Sequence, residues 1–371
     1  MFSSESLGAH TGFIPVIEPD DRLNPARSAE IPSILPQHVW LFSRRADFWL
    51  ASAGAALGLL AAVLVIFWHG DRELDAVDFV LSELHLGATY DAILRRRLWA
   101  QRRVDVLWVP FVILSLTYAL WTCGQTVLLT SITMYAAVWH RGRQSLGVAR
   151  FYQRDAGGRL SRVHSRLFRG AIYLPMLAAL LAYTHLAPEQ YDGEPYLALS
   201  AGAGITSAVG VVAVLWVITY LGWMVRQTRA AGEAARIHPG EWWVVVAHAI
   251  AFGSGYLLGA SNASFLLVLA VHHEVQYLYF TYAMARRAST LAPKEIGPEL
   301  SGRKPVFSAL CTVSRSEVNF AMSFLLWPVI GFVGAVLGSW LDLPWLAPLG
   351  VGGLFCHYWL DARIWTRQSF Q

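Results

Sequence analysis

Ten of the twelve histidines in this 371-residue chain fall between His69 and His357, and six of those (His85, His140, His248, His272, His273 and His357) lie in or at the end of runs apolar enough to cross a bilayer. An imidazole in hydrocarbon is costly unless something partners it, so a histidine in a membrane span is a functional-site hypothesis by default. Neutral imidazole is also the commonest metal ligand among the side chains. Several of these histidines carry a polar residue four positions on: Gln144 after His140, Gln276 after His272, Tyr277 after His273 and Asp361 after His357. Residues at that spacing share a helix face. Asp361 then either orients an imidazole or ligates directly, and Glu83 and Glu274 are further carboxylates at similar depth. Imidazole and carboxylate without a thiol pair suit non-haem iron, with zinc or manganese as the other fits. Neighbouring residues on a helix point about 100° apart, so His272 and His273 cannot both face one spot. One is the expected ligand and the other a substrate or supporting contact.

Composition says what kind of element holds these side chains. Apolar residues make up 55% of the chain and charged residues 15%, with a mean hydropathy of +0.43, against about 25% charged in a soluble domain. The 16 Trp and 14 Tyr suit belts at the two membrane interfaces. Three cysteines, Cys123, Cys311 and Cys356, without CxxC spacing, give no disulfide framework. The net charge is +4, and its arginines cluster in the connections between apolar runs, a pattern that orients a membrane protein and argues against nucleic acid as a partner. The expectation is an all-α, polytopic integral membrane helical bundle of about ten transmembrane helices.

A spanning helix needs roughly 20 apolar residues. By that measure the spans run from about Phe48 to Trp68, Val77 to Leu94, Val104 to Leu120, Thr122 to His140, Leu167 to Leu186, Leu197 to Met224, Trp242 to Leu258, Phe265 to Ala285, Val318 to Trp340 and Trp345 to Asp361. The second is the weakest, because it carries Glu83, His85 and Asp91, and the sixth is long enough to tilt or break near Gly202–Gly210. The fourth continues as helix through RGRQSLGVARFY if the pattern holds. Every second connection is basic, including RRRLWAQRR (Arg95 to Arg103) and the stretches after spans four, six, eight and ten, while the opposite ones, GDRELD, APEQYDGEP, GASNAS and LDLP, are short, acidic or neutral. Basic loops mark the cytoplasmic side, so both termini are expected inside, in the cell's inner (plasma) membrane. Residues 1–45 read as a cytoplasmic N-terminal tail, partly ordered at most, and 46–371 as a single transmembrane domain. On this plan all six histidines fall in the cytoplasmic half of the bilayer.

Plainer readings stand beside these. A single buried histidine bonded to a neighbouring helix accounts for His248 as well as a ligand role does. Arg141, Arg143 and the run Arg95–Arg97 read first as charges at the membrane surface. DRELD, from Asp71 to Asp75, has the DxxxD spacing of a magnesium site but no companion motif, and is expected to be a solvated loop.

The segments SELHLGATYD around His85, HHEVQY around His272 and FCHYWLD around His357 resemble, in architecture and histidine placement, the integral-membrane β-carotene dioxygenases of the Brp/Blh type. That resemblance implies iron held by histidines of several membrane helices and an oxidative cleavage of a hydrophobic substrate. The HxxxH and HxxHH boxes of membrane desaturases are absent. The expected site therefore has a metal, iron first, held by His85, His272 or His273, and His357, with His140 as a fourth ligand. Tyr90, Tyr277, Tyr279 and Phe280 would line the path of a hydrophobic lipid- or terpenoid-like small molecule arriving from membrane lipid, and Gln276 and Asp361 would hold imidazoles in the needed tautomer. An electron donor is left open. A transporter or channel using the histidines as a proton relay, with AGAGITSAVG as its mobile element, is the alternative, and a membrane lipid transferase is another.

Overall fold

The computed structural model describes residues 40–41, 43–68, 71–95, 102–155, 161–191, 194–231, 238–291, 329, 333, 341 and 346–364. These are mostly helical, as expected. In chain order the helices are α1 (Arg44–Trp68), α2 (Asp71–Arg95), a π-helical turn (Val104–Trp108) running into α3 (Val109–Thr122), α4 (Thr126–Asp155), α5 (Arg162–Leu186), α6 (Ala203–Ala231), α7 (Pro239–Gly259), a 3₁₀ turn (Ala263–Leu266) running into α8 (Leu267–Leu291), and α9 (Leu346–Ile364). The expected span from Val318 to Trp340 and the tail before Trp40 lie outside the described residues, apart from single positions.

Among the described residues, five stretches are long and apolar enough to cross a membrane: Arg44–Leu64, Val104–Thr122, Arg162–Leu186, Ala203–Ala230 and Pro239–Gly259. Those in α3 and α6 leave nearly all their residues exposed, with Phe111, Leu116, Val211, Leu215 and Ile218 turned outward. Such apolar exposure is disfavoured in water and natural against lipid tails. The helices α2, α4, α8 and α9 are as long as spans but fall outside this apolar set. They are the four that carry the clustered histidines.

Packing at the centre is tight because small residues let backbones approach. Gly54 and Gly58 of α1 lie against α8: a Cβ at Gly54 would come within 2.9 Å of the His272 Cα, and one at Gly58 within 2.8 Å of the Val268 Cα. Ala55 and Ala62 of α1 join Ala247 and Ala251 of α7 and Val268 in one buried cluster. This is the small-xxx-small packing of membrane helices. A larger core joins α4, α5, α7 and α8 through Met134, Tyr183, Phe252, Tyr256 and Leu269.

Buried polar groups fix how the rods meet. Asp47, at the start of α1, accepts from the Leu41 amide at 2.7 Å and from the hydroxyls of Tyr152 (3.2 Å) and Tyr279. Glu241 of α7 bonds to His164 of α5 at 2.6 Å and accepts from the Tyr220 hydroxyl of α6 at 2.8 Å. Buried carboxylates are tolerable only with partners of this kind.

Three local expectations are corrected. The DRELD segment is not a loop: α2 begins at Asp71, since acidic residues in a first turn favour a helix N-terminus. The sixth span does not begin at Leu197. The chain there is non-helical and strapped to α4, with Leu197 N donating to Ser131 Oγ (2.8 Å) and Leu199 N to Tyr135 Oη (2.9 Å). From Ala203 onward α6 runs unbroken through Gly204 and Gly210. The connection before it also holds a two-residue antiparallel ribbon, Gln190–Tyr191 against Glu194–Pro195, too short for sequence alternation to signal.

Candidate metal centre

Helix α4 continues past His140 to Asp155, so His140 lies at mid-helix, and its side chain is buried against neighbouring helices. Packed against α4 are α8 and α9, which bring His273 and His357 to it, and α2 packs on those two helices and adds His85. All four rings are buried. One ligand-capable atom from each lies within 4.8 Å of the others. Ring centroids stand 4.5 Å apart for His85 and His273, 4.4 Å for His85 and His357, 4.9 Å for His140 and His357 and 5.0 Å for His140 and His273.

Donor chemistry decides whether such a group fits a cation. Nε2 of His85 and Nε2 of His357 are 2.7 Å apart. Among the described residues His85 Nδ1, His140 Nε2 and His273 Nδ1 have no hydrogen-bond partner. Buried polar atoms are normally satisfied; both nitrogens of His272 are unpartnered too, so it is the convergence of four rings on one place that marks room for a ligand. Metal–nitrogen bonds of about 2.0–2.1 Å put ligand nitrogens about 3–4.2 Å apart, so the wider pairs would draw in slightly while His85 Nε2 and His357 Nε2, at 2.7 Å, would part a little. The residues fit a first-row cation.

A second set of groups orients the first. Thr89, four residues after His85 and fully buried, donates to Asp361 Oδ1 (2.7 Å) and lies 2.8 Å from His357 Nδ1. With its only proton spent on the carboxylate, Thr89 Oγ1 accepts from Nδ1–H, which leaves His357 Nε2 as a lone pair facing the cluster. Tyr277 also donates to Asp361 Oδ1, at 2.5 Å, and its hydroxyl is 2.7 Å from Thr89. The other carboxylate oxygen, Oδ2, stands 3.6 Å from His357 Nε2 and 3.7 Å from His140 Nε2, within a small movement of ligation. His140 is further held by Tyr358, stacked on its ring at 4.4 Å.

The expected residues divide. His85, His140, His273 and His357 come together, with Tyr277 and Asp361 beside them. His272 does not join: it turns toward α1, where its Nδ1 would meet a Cβ on Gly54 at 3.3 Å, the opposite choice from His273 on the same helix. Nor does His248, whose Nε2 lies 3.1 Å from the Ile172 carbonyl of α5. Gln276 holds no imidazole; its Oε1 accepts from Gln144 and Ser145, both at 3.3 Å, so it ties α8 to α4. Gln144 also binds the backbone, donating to the His273 carbonyl at 2.7 Å. Tyr90 sits one residue past Thr89 and packs with Ile93 and Leu360. Tyr279 is committed to Asp47. Thr89 was missed, although its position one turn after His85 was the signal that could have found it.

A cavity of about 630 Å³ opens beside the cluster and reaches His140, Tyr277 and Asp361, with Trp139, Phe280 and Tyr358 on its walls. Comparison with known proteins gives no match: no family model, curated protein or solved structure is significantly similar to the chain.

Proposed function

We propose that this is a multi-pass membrane protein of about ten spans, with both termini on the cytoplasmic side of the inner (plasma) membrane, and that its histidine cluster holds non-haem iron for the oxidation of a hydrophobic, lipid- or terpenoid-like substrate by dioxygen. One observation carries the reading: four buried imidazoles from four separate helices meet beside a largely apolar cavity, with a carboxylate held next to them. A purely structural zinc takes a closed tetrahedral set, whereas here the cavity reaches His140 and Asp361 and leaves the centre approachable. Bound there, iron would supply the place where dioxygen and substrate react.

The protein's own part follows from its residues. His85, His140, His273 and His357 are the ligands, and Asp361 Oδ2 is the candidate for a fifth. Thr89 keeps the proton of His357 on Nδ1. Tyr277 shares the carboxylate with Thr89, so the charge of Asp361 is spread over two hydroxyl donors and kept in place. The apolar walls admit a hydrophobic substrate and exclude water, which limits loss of reactive species. The transport alternative loses its expected mobile element, since α6 runs unbroken from Ala203.

Metal analysis of detergent-purified protein tests the proposal. About one or two irons per chain are expected, as suits an imidazole–carboxylate set, with the metal lost in His85→Ala and in His357→Ala. Metal content unchanged in both variants overturns the site. Lipid extracts of cells with and without the protein then show whether an oxidised product accompanies it.

A further inference from the structure

The cavity is not apolar throughout. It follows one stripe of α4: Ala136, His140, Arg143 with Gln144, Gly147, and Arg150 with Phe151. These positions recur every three or four residues and share a face. Along that helix both guanidinium groups lie on one side of the metal-site histidine, interleaved with Leu146, Val148 and Phe151, while Ala136 and Trp139 make the wall on the other side. At about 1.5 Å per residue the arginines stand roughly 5 and 15 Å beyond His140 along the axis. Arg143 is exposed. Gly147, between them, is open: a Cβ there would meet nothing within 4 Å. A groove apolar along its length, with cations only on one side of the reactive group, is the outline of an amphiphile rather than of a hydrocarbon.

Resting on the oxygenase reading, we infer that the substrate is a single-chain amphiphile with an acidic head, carboxylate or phosphate, whose head lies at Arg143 and Arg150 while its chain passes His140 toward Ala136. Guanidinium forks match either anion in bidentate fashion. In the proposed orientation α4 runs inward, so Arg150 is nearest the cytoplasmic surface and Ala136 deepest in the bilayer. A lipid lying in its own leaflet would then enter head-last without turning over. Anchoring the head sets which carbon faces the histidines, so oxidation falls at a fixed position counted from the head. A wholly apolar substrate would have no head to lie at the arginines and no such register.

Binding of radiolabelled palmitate, hexadecyl phosphate and hexadecanol to the full chain in neutral-lipid nanodiscs tests this, with metal content measured on the same samples. The expected result is that one or both anions bind about tenfold or more tightly than the alcohol, since each charge-assisted contact contributes on that scale. Arg143→Gln combined with Arg150→Gln should abolish the preference, and Gly147→Leu should block all three probes, each with metal content unchanged. Gly147→Leu fills open space at a mid-helix position where leucine is the better helix former, so it is expected to fold. Equal binding of hexadecanol, an unchanged preference in the double variant, or displacement by inorganic phosphate as effective as by hexadecyl phosphate overturns the inference. The two readings separate cleanly: wild-type protein that holds iron but shows no head-group preference sinks only the amphiphile, and protein that prefers the anions but holds no metal sinks only the oxygenase.

Discussion

At the scale of single residues, Thr89 is the sharpest test of how the centre is tuned, because it touches His357, Asp361 and Tyr277 and is not itself a proposed ligand. Thr89→Val keeps the shape and removes every one of those bonds. Loss of a supporting partner of this kind typically lowers metal affinity about 10–100-fold, and competition with a chelator should show that drop, with Thr89→Ser restoring most of it. Adjacent substitutions in α8 give a second test: His273→Ala should empty the site, while His272→Ala should leave metal content near wild type, because His272 faces α1. The histidines and Asp361 were legible in the sequence as polar groups at one depth in apolar runs. The choice between His272 and His273 was not, since helix phase separates two neighbours without saying which flank meets the other ligands. Gln276 shows the same limit. Spacing of four puts Gln276 on the His272 face, but side chains lean along the helix, and Gln276 reaches Gln144 and Ser145 of the neighbouring helix instead.

Among the elements, the division of labour between helices is what hydropathy could read only in part. The five apolar stretches announce themselves, and α3 and α6 in particular turn almost everything outward. Helices α2, α4, α8 and α9 dilute their apolar character with the residues that build the centre, so α2 looked like the weakest span for the same reason that it matters. What sequence reading passed over was GAALG, from Gly54 to Gly58. Its two glycines bring α1 onto the backbone of α8, and α8 carries His273. Gly58→Leu forces side-chain atoms into the space held by Val268, and overpacking of this kind costs about 1–3 kcal/mol. The expected outcome is a lower melting temperature in detergent together with partial loss of metal as α8 shifts. Gly253→Ala, at a position with no neighbour within 4 Å, serves as the matched control and should change neither.

For the whole molecule the open question is which way it faces, and two native cysteines can answer it. The π-helical turn and α3 together run from Val104 to Thr122, and 19 residues of mostly α-helical rise are about 28 Å long, close to the thickness of the hydrocarbon core. Arg102 and Arg103 stand at one end, and exposed Cys123 at the other. If basic ends face the cytoplasm, Cys123 faces out. In a Cys311→Ser background a membrane-impermeant maleimide should therefore label intact spheroplasts, and Cys123→Ser should remove the label. Cys356 is buried beside the Pro110 carbonyl at 3.5 Å and should react only after denaturation. Labelling confined to inside-out vesicles would invert the chain. The histidine cluster would then lie in the outer half of the bilayer and the arginine end of the groove would face the outer leaflet, so the substrate would have to be sought among lipids of that surface.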